Sequence, residues 1–182
     1  MNTRIVALLV LAVATTGCSR QASSPTQPLT KVLTSVPADG ATGVRLDAAV
    51  TLDFGAAVDR AAVERGVHLL AERDMFTSCP DASMGSHGTM ESVMDDENML
   101  RHMDELHATG GRYSWNAAGT VCTFQPDSLM GPQTRYMVHM RGAMLEMMRQ
   151  TGVGMMGGRM NTSGDMMLHF QTMTADDHGG HH

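Results

Sequence analysis

Methionine is confined almost entirely to one half of this sequence. All but one of the 19 methionines lie between Met75 and Met173, and the exception is Met1. The same stretch also contains His87, His102, His107, His139 and His169. Thioether sulfur is soft, polarizable and uncharged, which suits the binding of Cu(I) or Ag(I) in an oxidising compartment. Methionine also fills apolar cores, but many of these residues lie in polar, glycine-rich segments, so the pattern favours soft-metal binding.

The first methionine-rich segment, residues 76–110, contains a predicted helix. Three acidic residues at 95–97 are typical of a helix start, and Gly110 is typical of a stop. Spacing of three and four residues places Met99, Met103 and Leu106 on one face, flanked by two histidines. The candidate Cu(I) ligands in this segment are Met90, Met94, Met99, His102, Met103 and His107. The alternative is that the apolar face packs this helix onto the rest of the domain.

The second methionine-rich segment, residues 142–165, contains six glycines, at 142, 152, 154, 157, 158 and 164. This composition predicts a flexible loop with one helical turn at Met144–Gln150. Such a loop buries little apolar area but can wrap a cation. Its candidate ligands are Met144, Met147, Met148, Met155, Met156 and Met160. The M-x-x-M and MM repeats resemble the methionine motifs of copper transporters and periplasmic copper-handling proteins.

Two predicted strands add a third group of candidate ligands. Alternation along 135–141 and 166–172 directs Met137, His139, Met167 and His169 away from the core. If these strands pair, the four side chains share one exposed sheet face, and His68 could border it. The alternative is that they are unrelated surface residues.

The elements that must position these residues are short and alternating, which predicts an all-β, antiparallel sandwich. Seven strands are expected: Lys31–Val36, Ala49–Phe54, Gly66–Glu72, Gly111–Trp115, Thr120–Phe124, Arg135–Arg141 and Met166–Thr172.

Three segments carry a family resemblance: VPADGATGVRLDAAVTLDFGAAVD (36–59), YSWNAAGTVCTFQPDSLMGPQTRYMVHM (113–140) and LHFQTMT (168–174). They resemble the bacterial Ig-like domain of S-layer and other cell-envelope proteins, and Tyr136 resembles that family's tyrosine corner. The resemblance implies a seven-stranded Ig-like sandwich over 31–175, with a partly helical insertion at 76–110 and another insertion at 142–165. The opening also resembles a periplasmic copper-resistance β-sandwich family, whose N-terminal histidine ligand is absent here.

The N-terminus is typical of a secretory signal, predicted over 1–17. Arg4 precedes a short apolar run, Ile5–Ala14, which cannot span a bilayer. Cys18 follows a small residue and resembles a lipobox cysteine, which implies lipidation and a periplasm-facing outer-membrane lipoprotein. Residues 18–30 would be its tether. The alternative is ordinary cleavage that releases a soluble periplasmic protein.

The remaining cysteines and the C-terminal tail fit an oxidising compartment. Cys79 and Cys122 are an even pair, which predicts a disulfide; thiolate metal ligands are the alternative. The tail, residues 176–182, is rich in histidine and would bind Cu(II), Ni(II) or Zn(II) with little selectivity.

Charge and motifs limit the function. A net charge of −6 argues against nucleic acid as a partner, and no signature of a catalytic triad, zinc protease or phosphate loop is present, so no enzyme activity is expected. We therefore expect an envelope lipoprotein that binds Cu(I), with Ag(I) or Cu(II) as alternatives, for buffering, resistance or delivery. A copper export or resistance protein would be its partner, and the membrane would be contacted only through the lipid. The competing interpretations are a structural Ig-like adaptor whose methionines act as an oxidation sink and, less well supported because no CxxC motif exists, a redox protein.

Overall fold

The computed structural model describes residues 31–73, 97–155 and 158–175 of the 182-residue chain. Within these ranges ten strands form: β1 Lys31–Val36, β2 Ala41–Val44, β3 Val50–Asp53, β4 Val67–Ala71, β5 Gly111–Trp115, β6 Val121–Pro126, β7 Arg135–Met140, β8 Val153–Met155, β9 Arg159–Met160 and β10 Met166–Thr172. Three helices accompany them: α1 Arg60–Gly66, α2 Glu97–Leu106 and α3 Gly142–Gln150.

The strands form two sheets. One has the order β5-β6-β3-β1-β8, and the other has the order β2-β10-β7-β4 with β9 added beside β10. Most pairs are antiparallel, whereas the β1–β8 and β2–β10 pairs are parallel. The main core contains residues of both sheets together with residues of α1 and α3. The predicted all-β sandwich is therefore confirmed.

The seven predicted strands all form, with ends shifted by a few residues, but the count of seven is too low for the described residues. The three additional strands are β2, β8 and β9, which contain four, three and two residues. Such short strands leave little alternation in the sequence, which is why they were not predicted.

Tyr136 shows the backbone contact expected of a tyrosine corner. Its ring is buried, and its hydroxyl oxygen accepts a hydrogen bond of 2.8 Å from the Gly131 N–H. The ring also stacks on Phe170 of the neighbouring strand, with centroids 5.6 Å apart. These contacts fix the start of β7 and therefore its register against β10.

Several predictions fall outside the described residues. They are the signal (1–17), the tether with Cys18 (18–30), Cys79, Met90, Met94, Met156 and the tail (176–182). Among the helices that the structure describes, none has the length and apolar character needed to cross a bilayer.

Candidate metal centre

The outer face of the second sheet carries a two-by-three array of side chains. Strand β7 lies between β4 and β10, and the register aligns two rows across the three strands. The rows are His68, His139 and Met167, and Leu70, Met137 and His169. Because alternate residues of a strand face the same side, these six side chains share one face. The strand pairing therefore produces the predicted juxtaposition of four side chains, those of Met137, His139, Met167 and His169.

That face is not exposed, contrary to the sequence prediction. Met137 and Met167 are both 0% exposed, and His139 is 1% exposed. Helix α2 covers them and forms a second apolar cluster, separate from the main core. The members of that cluster are Leu70, Met99, Leu100, Met103, Met137 and Met167. Alternation correctly predicted the side of the sheet, but it contains no information about what covers that side.

Four of the six residues in this cluster are methionines, two from the helix and two from the sheet. We call Met99, Met103, Met137 and Met167 the methionine seam. The helix uses Met99, Leu100 and Met103 as its buried face, whereas Leu106, which was expected on that face, is 63% exposed. Helix α2 therefore packs onto the sandwich and also groups its thioethers with those of the sheet.

A buried carboxylate adjoins the seam. Asp104 follows Met103 on α2, and its side chain is 0% exposed. Its Oδ1 atom lies 2.8 Å from His139 Nδ1, and its Oδ2 atom accepts a hydrogen bond of 2.8 Å from Arg141 Nε. His68 Nε2 lies 3.8 Å from the same Oδ2 atom. Asp104 thus joins α2 to both β4 and the end of β7 through polar partners.

Burial and these partners act in opposite directions on the acidity of the network. Burial alone would raise the pKa of Asp104, but the hydrogen bond and charge of His139, the hydrogen bond of Arg141 and the charge of His68 lower the pKa below its ordinary value. Burial lowers the pKa of His68, and the nearby Asp104 carboxylate only partly offsets that effect. The network therefore favours an ionised aspartate.

His139 has its second ring nitrogen directed toward another carboxylate. Its Nε2 atom is buried, makes no hydrogen bond and lies 3.4 Å from Asp165 Oδ2. Both residues line a cavity of about 330 Å³ between α2 and the start of α3. Asp104 and Arg141 line the same cavity, so the cavity borders the charged network.

The other predicted histidine ligands have neighbours outside the Asp104 network. His169 Nε2 lies 3.7 Å from Glu72 Oε1, on the side of the array away from Asp104. Burial lowers the pKa of His169 and raises that of Glu72. His102 and His107 form a pair with ring centroids 5.6 Å apart near the end of α2, and His107 Nε2 is buried without a hydrogen-bond partner.

The second methionine-rich segment is not the flexible loop that its glycines predicted. Residues 142–150 form the nine-residue helix α3, and two short strands follow it. Met144 and Met148 are buried in the main core, and Met147 packs against that core. Met160, on β9, is 57% exposed, and the backbone of Met155 lies in β8. The helix includes the helical turn predicted at Met144–Gln150, which the four-residue spacing of Met144 and Met148 indicates, and five of the six glycines follow it.

Cys122 is a free, buried cysteine in the structure, so the predicted disulfide with Cys79 is not formed in it. Cys122 lies on β6 opposite Leu52 of β3, and its side chain is part of the main core. Burial, together with the charge of Glu64, raises the pKa of the thiol to about 12. A thiol that resists ionisation in this way is a poor metal ligand and a poor nucleophile.

Sequence reasoning missed three residues of the network: Asp104, Arg141 and Asp165. A usable signal existed for Asp104, because it lies four residues after Leu100 and therefore on the apolar face of α2. A carboxylate on such a face requires a charged partner. No comparable local signal marks Asp165, which lies 26 positions from His139 in the chain.

Within the described parts of the chain, no three His, Cys, Asp or Glu side chains are grouped closely enough to hold a metal ion. A soft-metal site in this region therefore depends on thioether sulfur.

Comparisons with known proteins leave the chain without an assigned family. No family model matches it, and no curated protein matches it. Among solved structures, it is similar to LD transpeptidase LdtMt1 in complex with imipenem, at 18% identity and a TM-score of 0.41 over 77% of this chain and 38% of that one. It is also similar to the copper resistance protein PcoC from Escherichia coli, at 11% identity and a TM-score of 0.38 over 76% of this chain and 95% of that one.

A surface layer protein, SbsC, gives a further similarity, at 10% identity and a TM-score of 0.36 over 79% of this chain and 14% of that one. The chain thus spans well under half the length of the transpeptidase and of the surface layer protein. At these scores none of the three similarities assigns an activity to this chain.

Proposed function

We propose that this protein binds Cu(I) through the methionine seam, the four thioethers enclosed between α2 and the outer face of the second sheet. The observation that carries the proposal is the composition of that cluster, in which methionine supplies four of six buried residues. Leucine would pack such a cluster as well as methionine does, since exchanges between the two conserve volume. Sulfur adds a soft ligand that leucine lacks.

The surroundings of the seam suit a buried monovalent cation. Thioethers are neutral, so they do not offset the cost of removing a charge from water. Asp104, which adjoins Met103, places an ionised carboxylate beside the seam. Access would require α2 to move, and α2 contributes only three apolar side chains to the cluster. A short apolar contact of that size is compatible with opening and closing around an ion.

The proposed role is non-enzymatic: buffering Cu(I), or Ag(I) of similar softness, conferring resistance to it, or delivering it to an export or resistance protein. We place the protein in the cell envelope as a lipoprotein attached through Cys18, on the strength of the signal-like N-terminus. The sulfur seam supports this role.

The test is an anaerobic Cu(I) competition assay against a chromophoric chelator, on the full chain and two matched variants. The first variant replaces the seam: Met99→Leu, Met103→Leu, Met137→Leu and Met167→Leu. The second replaces four equally buried methionines of the main core: Met140→Leu, Met144→Leu, Met148→Leu and Met166→Leu. Both sets lie at 7% exposure or less, so the two variants undergo comparable repacking.

The seam variant should lose the tightest Cu(I) equivalent, whereas the core variant should retain it. If both variants kept that equivalent, the seam would be ordinary core packing. The methionines would then fit the alternative role of an oxidation sink in a structural adaptor. If both variants lost the tightest Cu(I) equivalent, methionine sulfur would be needed for Cu(I) binding, but the seam would not be the specific site.

A further inference from the structure

We propose a second metal site, for a borderline divalent ion such as Zn(II) or Cu(II), formed by His139 Nε2 and Asp165 Oδ2 at the wall of the cavity between α2 and α3. It uses nitrogen and oxygen donors, which such ions prefer over thioethers. It uses no sulfur atom of the methionine seam, so either proposal can fail while the other stands, although Asp104 adjoins both sites.

The ring of His139 is held as metal-binding histidines usually are. Its Nδ1 atom lies 2.8 Å from Asp104 Oδ1, so the Nδ1–H donates to that carboxylate. When the ring is neutral, this hydrogen bond fixes the tautomer with a lone pair on Nε2, and a metal ion bound there takes the place of the proton that Nε2 carries in the charged ring. Asp104 is itself fixed by Arg141 Nε at 2.8 Å. The structure therefore contains the carboxylate–histidine pair that typically orients a metal ligand.

The other ring nitrogen makes no hydrogen bond that would explain its burial. His139 Nε2 is buried without a hydrogen bond, although Asp165 Oδ2 is only 3.4 Å away. A buried ring nitrogen without a partner is costly, so such an atom needs a reason to persist. A cation between the two atoms supplies that reason, because it accepts the lone pairs of both.

The separation of the two atoms matches a metal bite. Zn–N and Zn–O bonds of about 2.0–2.2 Å that meet at a tetrahedral angle place the nitrogen and oxygen about 3.4 Å apart. The observed distance between His139 Nε2 and Asp165 Oδ2 is 3.4 Å. The spacing of the two atoms is therefore that of two ligands of one ion.

Asp165 is also held in place before any ion binds. Its Oδ1 atom accepts a hydrogen bond of 2.6 Å from the Gly142 N–H, and its own N–H donates to Asn161 Oδ1 at 2.8 Å. Asn161 Nδ2 also lies 3.3 Å from Asp165 Oδ2, a long contact that leaves this oxygen a second lone pair. A ligand fixed in this way loses little side-chain entropy on binding.

The cavity supplies the remaining coordination positions and a suitable charge. It contains three carboxylates, Glu97, Asp104 and Asp165, and two guanidinium groups, Arg101 and Arg141. These groups leave an excess of one negative charge, which favours a cation over an anion in the cavity. Two protein ligands leave positions for water or a small anionic ligand from the cavity, which has a volume of about 330 Å³.

The test uses Zn(II) alone, titrated into the full chain against a chromophoric competitor. The three tail histidines are replaced throughout, as His178→Gln, His181→Gln and His182→Gln, so that the tail does not bind the ion. In this background Asp165→Asn should weaken Zn(II) binding at least about tenfold, since it removes a ligand charge. Asp104→Asn should weaken it about 10–100-fold, the range found when an outer partner of a ligand is lost.

A spectroscopic measurement complements the titration. Cu(II) bound in the same background should show electron paramagnetic resonance coupling to one imidazole nitrogen, and His139→Gln should remove that coupling. The control is His169→Gln, a histidine of the same sheet face outside the cavity, which should leave both measurements unchanged.

The proposal is overturned if Asp165→Asn binds Zn(II) as tightly as its background does. If His139→Gln fails to fold, the Asp165→Asn result decides alone, because asparagine retains an acceptor for the Gly142 N–H. The seam variant should bind Zn(II) normally, so loss of Zn(II) binding in that variant would also contradict a separate site.

Discussion

Replacing Asp104 with asparagine should destabilise the metal-free protein by about 3 kcal/mol. The carboxylate is 0% exposed and contacts His139, Arg141 and, at longer range, His68. Removing one partner of a buried ion pair costs about 3–5 kcal/mol. We expect the lower end, because asparagine can still accept one hydrogen bond and because the Arg141 side chain, at 37% exposure, is partly solvated.

The matched control is Asp127→Asn. Asp127 lies 3.3 Å from Arg112, and both side chains are more than half exposed. Surface ion pairs contribute about 0–1 kcal/mol, so this variant should be close to wild type. Thermal unfolding in the presence of a chelator separates the two variants. For a chain of this size about 2–4 °C are expected per kcal/mol, which predicts a fall of about 6–12 °C for Asp104→Asn.

The effect should also depend on pH with a definite sign. The pKa of Asp104 is lowered in the folded state, so the folded protein releases that proton more readily than the unfolded chain does. Its stabilisation is therefore fully present above the unfolded pKa of about 3.9 and is lost as the pH falls through the folded pKa. The stabilities of wild type and Asp104→Asn should converge in that acidic range. Equal losses of stability in Asp104→Asn and Asp127→Asn at neutral pH would refute this reasoning. A stability difference between wild type and Asp104→Asn that grows on acidification would also refute it.

Three further predictions concern other parts of the fold. Hydrogen peroxide should oxidise Met160, which is 57% exposed, well before Met137, which is 0% exposed. Peptide mass spectrometry measures the two oxidation rates, and equal rates would contradict the burial of the seam. Gly111→Ala should cost about 1–3 kcal/mol of unfolding free energy, because the new Cβ would lie 2.3 Å from the Phe124 ring and 2.7 Å from the Gln125 carbonyl oxygen. The control is Gly110→Ala, whose Cβ would meet only Asp127 Oδ2 at 3.6 Å. Equal denaturant midpoints for the Gly111→Ala and Gly110→Ala variants would refute the clash. In reduced protein at about pH 8, Cys122 should resist iodoacetamide until denaturant is added, since its pKa is raised to about 12; modification of the native protein would show that the thiol is accessible.

The sequence allowed most of the scaffold to be predicted, because strand alternation reports on local geometry. The two sides of β7 and β10 followed from a period of two, and the pairing of these strands was expected from the Ig-like resemblance. The register that sets Met137 opposite His169 and Met167 opposite His139 comes only from the structure. What covers those faces could not be predicted in the same way. The burial of Met137 depends on α2, which lies more than 30 residues earlier in the chain, and alternation contains no information at that range.

The remaining errors have a similar origin. Six glycines predicted a mobile loop at 142–165, but Met144 and Met148 bury against α1 and the main core, and that burial stabilises α3. The contact of His139 with Asp165 depends on where β10 begins relative to the end of β7. Residue types marked His139 as a candidate ligand, whereas only the fold identified its carboxylate partners.

X-ray absorption at the copper K-edge tests the central claim most directly, because it identifies the atoms bound to the metal. The protein would be loaded anaerobically with one equivalent of Cu(I). We predict sulfur scatterers around copper in the wild type and in the variant with leucine at Met140, Met144, Met148 and Met166. Those scatterers should be lost when Met99, Met103, Met137 and Met167 are replaced instead. Nitrogen and oxygen scatterers alone in the wild type, or unchanged sulfur scattering in the seam variant, would contradict Cu(I) binding by the methionine seam.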